Sequence, residues 1–300
     1  MVDERDFQLL ARLLREPLAG HEALGRATGV SGTAAKARLE RLAAEGVFNG
    51  FRGIPAPEVF GRRRRVFVFR KTGAGPEAVE EAIRVDPVVS SHLRQDGLVS
   101  TIAYPVDDDG GPPDELVRAF GEPVFTVRPR PVRPPPAPVV LSPIDWRVMR
   151  PLVREPRMPV RTLADRVRLS PKTVRRDRDA LIRDGTLTVE TSPSGAGAQG
   201  LLLYNMYLVL PRLPRTERHQ ILTKLPRCVA VSVMAEPPSI YVFCRASTFA
   251  EVLHDEATAK EIAGPEQAGL VFPLATAYAA ERIEAWVDEE TARWDRRRTT

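Results

Sequence analysis

The strongest constraint on the fold is an internal repeat, which relates the two halves of the chain by an offset of 139 positions. At this offset residues 15–17, which read Arg-Glu-Pro, align with the same three residues at 154–156. The other identities are Asp6 with Asp145, Leu24 with Leu163, Ser31 with Ser170, Leu42 with Leu181 and Gly46 with Gly185. Such a repeat predicts two copies of one structural unit, so an element inferred in one half is expected in the other.

Each half begins with a pattern that is typical of a helix-turn-helix. Apolar residues recur every three to four positions from Phe7 and from Trp146, which predicts an amphipathic helix. The proline of the Arg-Glu-Pro element ends that helix, and a second short helix follows. Ser31 and Ser170 are good N-caps for a third helix, which a glycine ends in each half. Because an apolar segment that resembles the first strand of a wing comes next, we expect two winged helix-turn-helix units.

The remainder of each half alternates apolar runs with helical patterns in the order β-α-β-β-α-β, which is that of a ferredoxin-like domain. In the first half we expect these elements at 65–71, 76–84, 88–95, 98–104, 114–120 and 124–127. In the second half we expect them at 202–210, 215–225, 228–235, 240–245, 248–262 and 270–278, before a closing helix at 283–294. The predicted fold class is therefore α+β, with tandem winged helix-turn-helix domains that are each followed by a ferredoxin-like βαββαβ domain.

A proline-rich run separates the two halves. Residues 128–138 read RPRPVRPPPAP, and proline at this density favours an extended spacer. The predicted domains are a winged helix-turn-helix at 1–61, a ferredoxin-like domain at 62–128, a Pro-rich linker at 129–140, a second winged helix-turn-helix at 141–200 and a second ferredoxin-like domain with a C-terminal helix at 201–300.

The composition allows ordinary hydrophobic cores, since 43% of the 300 residues are hydrophobic. No apolar run approaches the roughly 18–20 residues of a membrane span, and the N-terminal pattern is not that of a signal peptide. These features predict a cytoplasmic protein that does not bind membranes. The formal net charge of +5 favours a polyanionic partner, although the excess is small against 44 basic and 39 acidic residues.

No cofactor or metal site is expected from the motifs. Residues 195–200 match GxGxxG, but a strand-like run follows where a dinucleotide site needs a helix, so we interpret them as a wing tip. The four histidines are scattered, without metal-ligand spacing. Cys228 and Cys244 are expected to face each other across a hairpin. Reduced thiols are favoured there in a cytosolic protein, and a redox switch is the alternative.

Two segments resemble the Lrp/AsnC family of transcriptional regulators. Residues 169–176, Leu-Ser-Pro-Lys-Thr-Val-Arg-Arg, with Leu-Ile-Arg-Asp-Gly at 181–185, are similar to its recognition helix. Residues 50–55, Gly-Phe-Arg-Gly-Ile-Pro, with Gly61, are similar to its wing and the start of its sensor domain. The order of elements extends the resemblance over nearly the whole chain, as a duplicated member. The resemblance implies sequence-specific binding of double-stranded DNA. It also implies a domain that is used for assembly and that often binds a small effector such as an amino acid. The α+β domains are then expected to pair, either between chains or as an intramolecular pseudo-dimer.

Polar side chains of the second recognition helix are the first candidates for contact with DNA. They are Ser170, Lys172, Thr173, Arg175 and Arg176. These residues lie away from the apolar line through Val174 and Leu181, which would face the core. Arginine can bind guanine O6 and N7 with two hydrogen bonds, and polar groups near a helix N-terminus suit phosphates. Arg178 borders the apolar line, where the family usually has an apolar residue, and is not assigned to DNA.

The first half offers a weaker set of contacts. Thr33, Lys36, Arg38 and Arg41 lie on an alanine-rich helix, so this unit either adds DNA contacts or serves only as a structural module. Residues 62–65 are four consecutive arginines, of which Arg62, Arg63 and Arg64 are candidates for phosphate contacts. The alternative is a solvated loop before a strand.

The sequence predicts a regulator that is not an enzyme. It leaves two other functions open. Siroheme decarboxylases resemble the same family, and Ser-His-Leu-Arg at 91–94 is similar to their histidine-bearing strand. It lacks the Asn-Tyr pair that normally lies between the histidine and Leu-Arg, and the comparable segment of the second half, Val-Ser-Val-Met at 231–234, has no histidine. A protein-binding scaffold would instead be indicated by an exposed apolar sheet face.

Overall fold

A computed structural model describes residues 1–106, 110–131, 140–195, 197–211 and 215–298. The first half begins with α1 (Glu4–Arg15), α2 (His21–Thr28), α3 (Gly32–Ala44), β1 (Phe48–Pro55) and a short 3-10 helix (Pro57–Phe60). It continues with β2 (Arg65–Arg70), α4 (Glu77–Arg84), β3 (Val88–Arg94), β4 (Leu98–Ala103), α5 (Asp114–Phe120), β5 (Phe125–Val127) and β6 (Arg130–Pro131).

The second half repeats this order of elements. It begins with α6 (Pro143–Arg154), α7 (Val160–Val167), α8 (Pro171–Arg183) and β7 (Leu187–Pro193). It continues with β8 (Leu202–Val209), α9 (Arg215–Lys224), β9 (Cys228–Glu236), β10 (Pro238–Ala246), α10 (Phe249–Ala263), β11 (Ala268–Val271), β12 (Pro273–Tyr278) and α11 (Ala280–Arg298). The predicted α+β class and both β-α-β-β-α-β orders are confirmed, while the domain boundaries stay predictions.

Local chemistry explains where the third helix of each half begins. The Ser31 hydroxyl accepts a hydrogen bond from the Ala34 backbone, and the Ser170 hydroxyl accepts one from the Thr173 backbone. Both serines therefore satisfy an N–H group that has no partner within its helix, as the sequence predicted. Pro171 follows at the first helical position, where a missing N–H is harmless.

The two five-stranded sheets have the same strand order and exchange one strand with each other. The orders are β5-β2-β4-β3-β12 and β11-β8-β10-β9-β6. Strand β12 comes from the second half but pairs with β3, whereas β6 comes from the first half and pairs with β9. The halves are thus tied together by backbone hydrogen bonds in both sheets.

The strand expected at 270–278 is wrong as a single element. It breaks between β11 and β12, which belong to different sheets. The Phe272 N–H donates to the Gln95 side chain at 2.7 Å, and Pro273 has no N–H to continue the ladder. The chain therefore crosses from one sheet to the other at this point.

Two expected loops also differ. The first part of the proline-rich run forms β6 instead of a free spacer, and residues 132–139 lie outside the described residues. The segment expected to be a wing tip, of which Ala196 is not described, returns across the start of the chain. There the Val2 N–H donates to the Gln199 carbonyl, and the Leu201 N–H donates to that of Val2. These backbone contacts hold the segment against the first helix-turn-helix.

Each helix-turn-helix packs against elements of the other half. Phe7 of α1 stacks on Phe243 of β10 with ring centroids 5.2 Å apart, and both rings are buried. In the second unit, Trp146 of α6 contacts Phe60, which follows β1. Gly53 allows α6 to approach β1, because a Cβ there would lie 2.1 Å from the Leu152 carbonyl oxygen. Burial of each such aromatic contributes about 1.5–3 kcal/mol to stability. None of the helices within the described ranges is long and apolar enough to cross a membrane.

Candidate functional site

The second recognition helix, α8, presents a basic face to solvent. Val174 and Leu181 are buried in the core, as predicted, while Lys172, Arg175 and Arg176 are exposed. Ser170 and Thr173 lie at the start of the helix, where their hydroxyl oxygens are 2.9 Å apart. Both hydroxyl groups lie at a helix N-terminus and can therefore serve an anion such as phosphate.

Most cations of this face are free to reach a ligand. In the part of the chain that the structure describes, the side chains of Lys172 and Arg175 form no ion pair. Arg176 contacts Asp177 at 2.6 Å but its side chain remains 72% exposed. Arg178 is only 21% exposed and bonds to Asp179, which agrees with its placement beside the apolar line. The exposed face of α8 therefore carries three cations, of which Arg176 is partly neutralised by the buried Asp177.

The first recognition helix, α3, is different because its arginines bind carboxylates at the start of α1. Arg38 lies 2.8 Å from both Asp3 and Asp6, and Arg41 lies 2.6 Å from Asp6. Asp6 is fully buried. Burial opposes ionisation of Asp3, but hydrogen bonds from the Asp6 backbone and from Arg38 hold the pKa of Asp3 below its usual value. These cations serve the packing of α1 on α3.

The other candidates on α3 are exposed but less basic than those on α8. Thr33 is exposed, and Lys36 forms an ion pair with Glu40 at 3.7 Å. The ion pairs of Arg38 and Arg41 could not be read from the sequence, since Asp3 and Asp6 look like ordinary capping residues of α1. They do form a capping box there, in addition to binding the arginines.

Of the consecutive arginines at 62–65, two of the three candidates turn toward the protein. The Arg62 guanidinium lies 4.2 Å from the Trp286 ring centroid and donates to the Tyr104 carbonyl at 2.9 Å. Arg64 is 24% exposed and lies 3.7 Å from Glu190 of β7. Arg63 is exposed. This placement favours Arg63 alone as a phosphate contact, because the other two side chains are engaged in the junction between β1, β7 and the first sheet.

A second polar cluster surrounds His92 on β3. The His92 Nδ1 lies 3.1 Å from the Thr276 hydroxyl, and the Tyr278 ring stands edge-on with its centroid 6.2 Å away. Burial, together with the positive charge of Arg64, lowers the pKa of His92 to about 4. The imidazole is therefore neutral at physiological pH, and both its burial and the charge of Arg64 oppose its protonation.

Cys228 and Cys244 face each other on β9 and β10, as predicted. They are directly paired in the sheet and are joined by a disulfide, where the sequence favoured reduced thiols. Their Cα atoms are 4.1 Å apart, a separation that only directly opposed strand positions provide. Within the described ranges there is no group of three or more metal-ligating side chains.

Two surface clefts are rich in arginine. One has a volume of about 290 Å³ and lies between α6, α7 and α11, where its cationic residues are Arg147, Arg150, Arg166 and Arg168. The other has a volume of about 440 Å³ and lies beside the ends of β2 and β3, where Arg70, Lys71 and Arg94 are joined by Asp96. Carboxylates already bind some of these cations, as Asp288 binds Arg150 and Asp96 binds Arg94. Exposed cations such as Arg168 and Arg70 remain for a small anion such as a carboxylate.

Comparison with known proteins gives matches among solved structures alone. No family model matches the chain, and no curated protein matches its sequence. The siroheme decarboxylase NirDL, in complex with an iron-uroporphyrin III analogue, is 13% identical with a TM-score of 0.47, covering 95% of this chain and 98% of that one. MtbAldR is 19% identical with a TM-score of 0.33, covering 42% of this chain and 90% of that one. AsnC of E. coli is 17% identical with a TM-score of 0.28, covering 42% and 89%.

These matches correct one expectation. The sequence predicted a protein that is not an enzyme, and this is contradicted by NirDL, an enzyme that is matched over nearly its full length. The regulators are matched over less than half of this chain.

Proposed function

We propose that this protein is a sequence-specific DNA-binding regulator that contacts double-stranded DNA through α8. The observation that carries the proposal is the exposed basic face of α8 within a helix-turn-helix. Arg175 and Arg176 extend from the middle of the helix, where a recognition helix meets base edges in the major groove. Ser170, Lys172 and Thr173 at its start are placed for phosphates. Arg63 adds a further phosphate contact from outside α8.

A pseudo-dimer within one chain would position this helix. Phe51 of β1 pairs with Thr191 of β7, and Arg52 pairs with Glu190. The offset of 139 residues makes Phe51 equivalent to Glu190 and Arg52 equivalent to Thr191, so the pairing exchanges equivalent positions. That exchange is expected of two copies related by a two-fold axis between the strands. The reciprocal exchange of β6 and β12 supports the same duplicated arrangement.

An effector would act on this arrangement either beside the first sheet or between the second helix-turn-helix and α11. The two arginine-rich clefts are candidates for a small anionic effector such as an amino acid carboxylate. Arg64 and Glu190 link the first sheet to the β1–β7 pair that joins the helix-turn-helix units. An effector that displaces the first sheet would therefore also displace the helix-turn-helix units through the contact between Arg64 and Glu190.

The proposal is tested by selecting duplexes from a random library and measuring their binding by fluorescence anisotropy across a salt series. We expect Arg175→Ala/Arg176→Ala to weaken binding to the selected duplex about tenfold or more, since each bidentate base contact contributes about 1–3 kcal/mol. The matched control is Arg84→Ala/Arg118→Ala, which removes the same charge from exposed sites on α4 and α5. Absence of DNA binding at low salt, or equal effects of the two variants, would refute the proposal.

A second candidate function is binding of a porphyrin carboxylate at His92, as in a siroheme-decarboxylase-like enzyme. The cluster around His92 favours it, because the Arg64 guanidinium could pair with a carboxylate while the neutral His92 imidazole, which contacts the Thr276 hydroxyl at 3.1 Å, could donate a hydrogen bond to it. Absorbance titration with iron-uroporphyrin III tests it. A shift of the Soret band that is lost in His92→Ala and Arg64→Ala would support this function, and a spectrum that is the same in all three proteins would exclude it.

A further inference from the structure

We infer that each chain recognises one DNA half-site, through α8 alone, so that its target is an asymmetric sequence instead of an inverted repeat. This inference rests on the proposed DNA binding. The two helix-turn-helix units are equivalent in backbone but carry different chemistry on the surface that would meet DNA. Three observations carry the inference.

The first observation is the composition of equivalent exposed positions. On α8 these positions hold Lys172, Thr173, Arg175 and Arg176. The offset of 139 residues places Thr33, Ala34, Lys36 and Ala37 at the same positions of α3. Three cations on one face thus correspond to a single cation on the other. Alanine has no donor for a base edge or a phosphate, so α3 lacks the groups that recognition requires.

The second observation is the engagement of the remaining cations of α3. Arg38 and Arg41 are held by Asp3 and the fully buried Asp6 at 2.6–2.8 Å. Contact with DNA would require these arginines to leave Asp6, whose buried charge would then be uncompensated. In the second half, the positions equivalent to Arg38 and Arg41 are Asp177 and Ala180. Asp177 contacts the neighbouring Arg176 at 2.6 Å, but the Arg176 side chain remains 72% exposed, and Lys172 and Arg175 form no ion pair among the described residues.

The third observation concerns Lys36, the one cation left among the equivalent exposed positions of α3. It pairs with Glu40, one helical turn further along, at 3.7 Å. The charge of this pair sums to zero, whereas Lys172 and Arg175 on α8 have no carboxylate partner among the described residues. The electrostatic attraction of phosphates is therefore concentrated on one of the two units.

The consequence is a division of roles within the pseudo-dimer. The α8 unit would bind base edges. The α3 unit would instead have a structural role, because its arginines bind Asp6 of α1 and the next residue, Phe7, stacks on the second sheet. An inverted repeat would then give one chain only a statistical advantage of about twofold over a single half-site. Two half-sites would be occupied only by two chains.

The inference is tested by methylation interference at guanine N7 on the selected duplex, with affinity measurements on two variants. We expect interference on one side of the site only. Thr33→Ala/Lys36→Ala should change the affinity less than about twofold, against about tenfold or more for Arg175→Ala/Arg176→Ala. Interference at two symmetric half-sites, or an equal loss in both variants, would overturn the inference and leave the proposed function intact.

A gain-of-function variant gives an independent measurement. Thr33→Lys/Lys36→Arg/Ala37→Arg installs the α8 cations at exposed positions of α3, where no packing is disturbed. We expect this variant to bind an inverted repeat of the selected half-site about tenfold tighter than a single half-site, while the wild type gains only the statistical factor of about two from the second copy of the half-site. A clearly larger gain for the wild type at one chain per duplex would contradict a single reading unit. Absence of DNA binding by the wild type would instead refute the proposed function itself.

Discussion

The carboxylate of Asp6, which is fully buried at the start of α1, accepts a hydrogen bond from the Arg41 guanidinium of α3 with an Oδ2–Nη2 distance of 2.6 Å. The same carboxylate binds Arg38 through its other oxygen. One buried side chain therefore binds two cations of a helix that would otherwise present them to solvent. This contact links the stability of the first helix-turn-helix to the low affinity for DNA that we infer for it.

Substitution of Asp6 should affect both properties. In Asp6→Asn the amide cannot neutralise Arg38 and Arg41, so we expect the free energy of unfolding to fall by about 1–3 kcal/mol. The released arginines should strengthen binding to random duplex DNA and steepen its log–log salt dependence by about 0.9 for each new phosphate contact. Urea denaturation and anisotropy measure the two effects. Glu115→Gln on α5 is the control, and an unchanged salt slope in Asp6→Asn would contradict the link.

Protonation of His92 should destabilise the fold at acidic pH. Burial lowers the pKa of this imidazole to about 4 in the folded protein, whereas the unfolded chain has the ordinary value near 6.5. The unfolded state therefore binds the proton first as the pH falls, and stability is lost between about pH 6.5 and pH 4. We expect His92 to contribute a loss of about 2 kcal/mol between pH 7 and pH 5.

Denaturation of the wild type and of His92→Gln at both pH values isolates this contribution, since all other groups are common to the two proteins. The variant should lose about 2 kcal/mol less than the wild type over this interval. An identical pH dependence of the two proteins would show that the folded protein does not disfavour protonation of His92.

The stack of Phe7 on Phe243 should be required for the contact between the first helix-turn-helix and the second sheet. Phe7→Ala removes a buried ring at the interface of α1 and β10, and we expect a loss of about 3–5 kcal/mol in the free energy of unfolding. Phe249→Ala is the matched control, because that ring is 58% exposed on α10 and should contribute less than about 0.5 kcal/mol. Equal effects of the two substitutions would argue against this interface.

Reduction of the Cys228–Cys244 disulfide, which lies in the second sheet, should lower the free energy of unfolding. The cysteines are separated by 16 residues, and closing a loop of about this length stabilises a fold by about 3 kcal/mol in the chain-entropy description. Denaturation with and without dithiothreitol should reveal this loss in the wild type and no dependence on reductant in Cys228→Ser/Cys244→Ser. Two thiols titrated in the unfolded, unreduced wild type would show that the bond is not formed.

The sequence by itself determined the elements whose ends depend on local chemistry. Ser170 and Pro171 start α8 and Gly185 follows its end because capping and backbone preferences act over a few residues. The buried positions Val174 and Leu181 followed from helical periodicity in the same way. The basic face of α8 could be identified for this reason before any tertiary contact was known.

Only the tertiary structure decided which arginine side chains can reach a ligand. It also decided which sheet the last strand of each half joins. Nothing in the sequence distinguishes the availability of Arg38, Arg64 and Arg175. In the structure Arg38 binds Asp6 and Arg64 lies near Glu190 and His92. Of these three arginines only Arg175 is exposed without an ion pair among the described residues. Strand β12 joins the first sheet through partners on β3 that are far away in sequence. Local patterns contain no information on such pairings, because they arise only when the whole chain brings distant side chains and strand edges together.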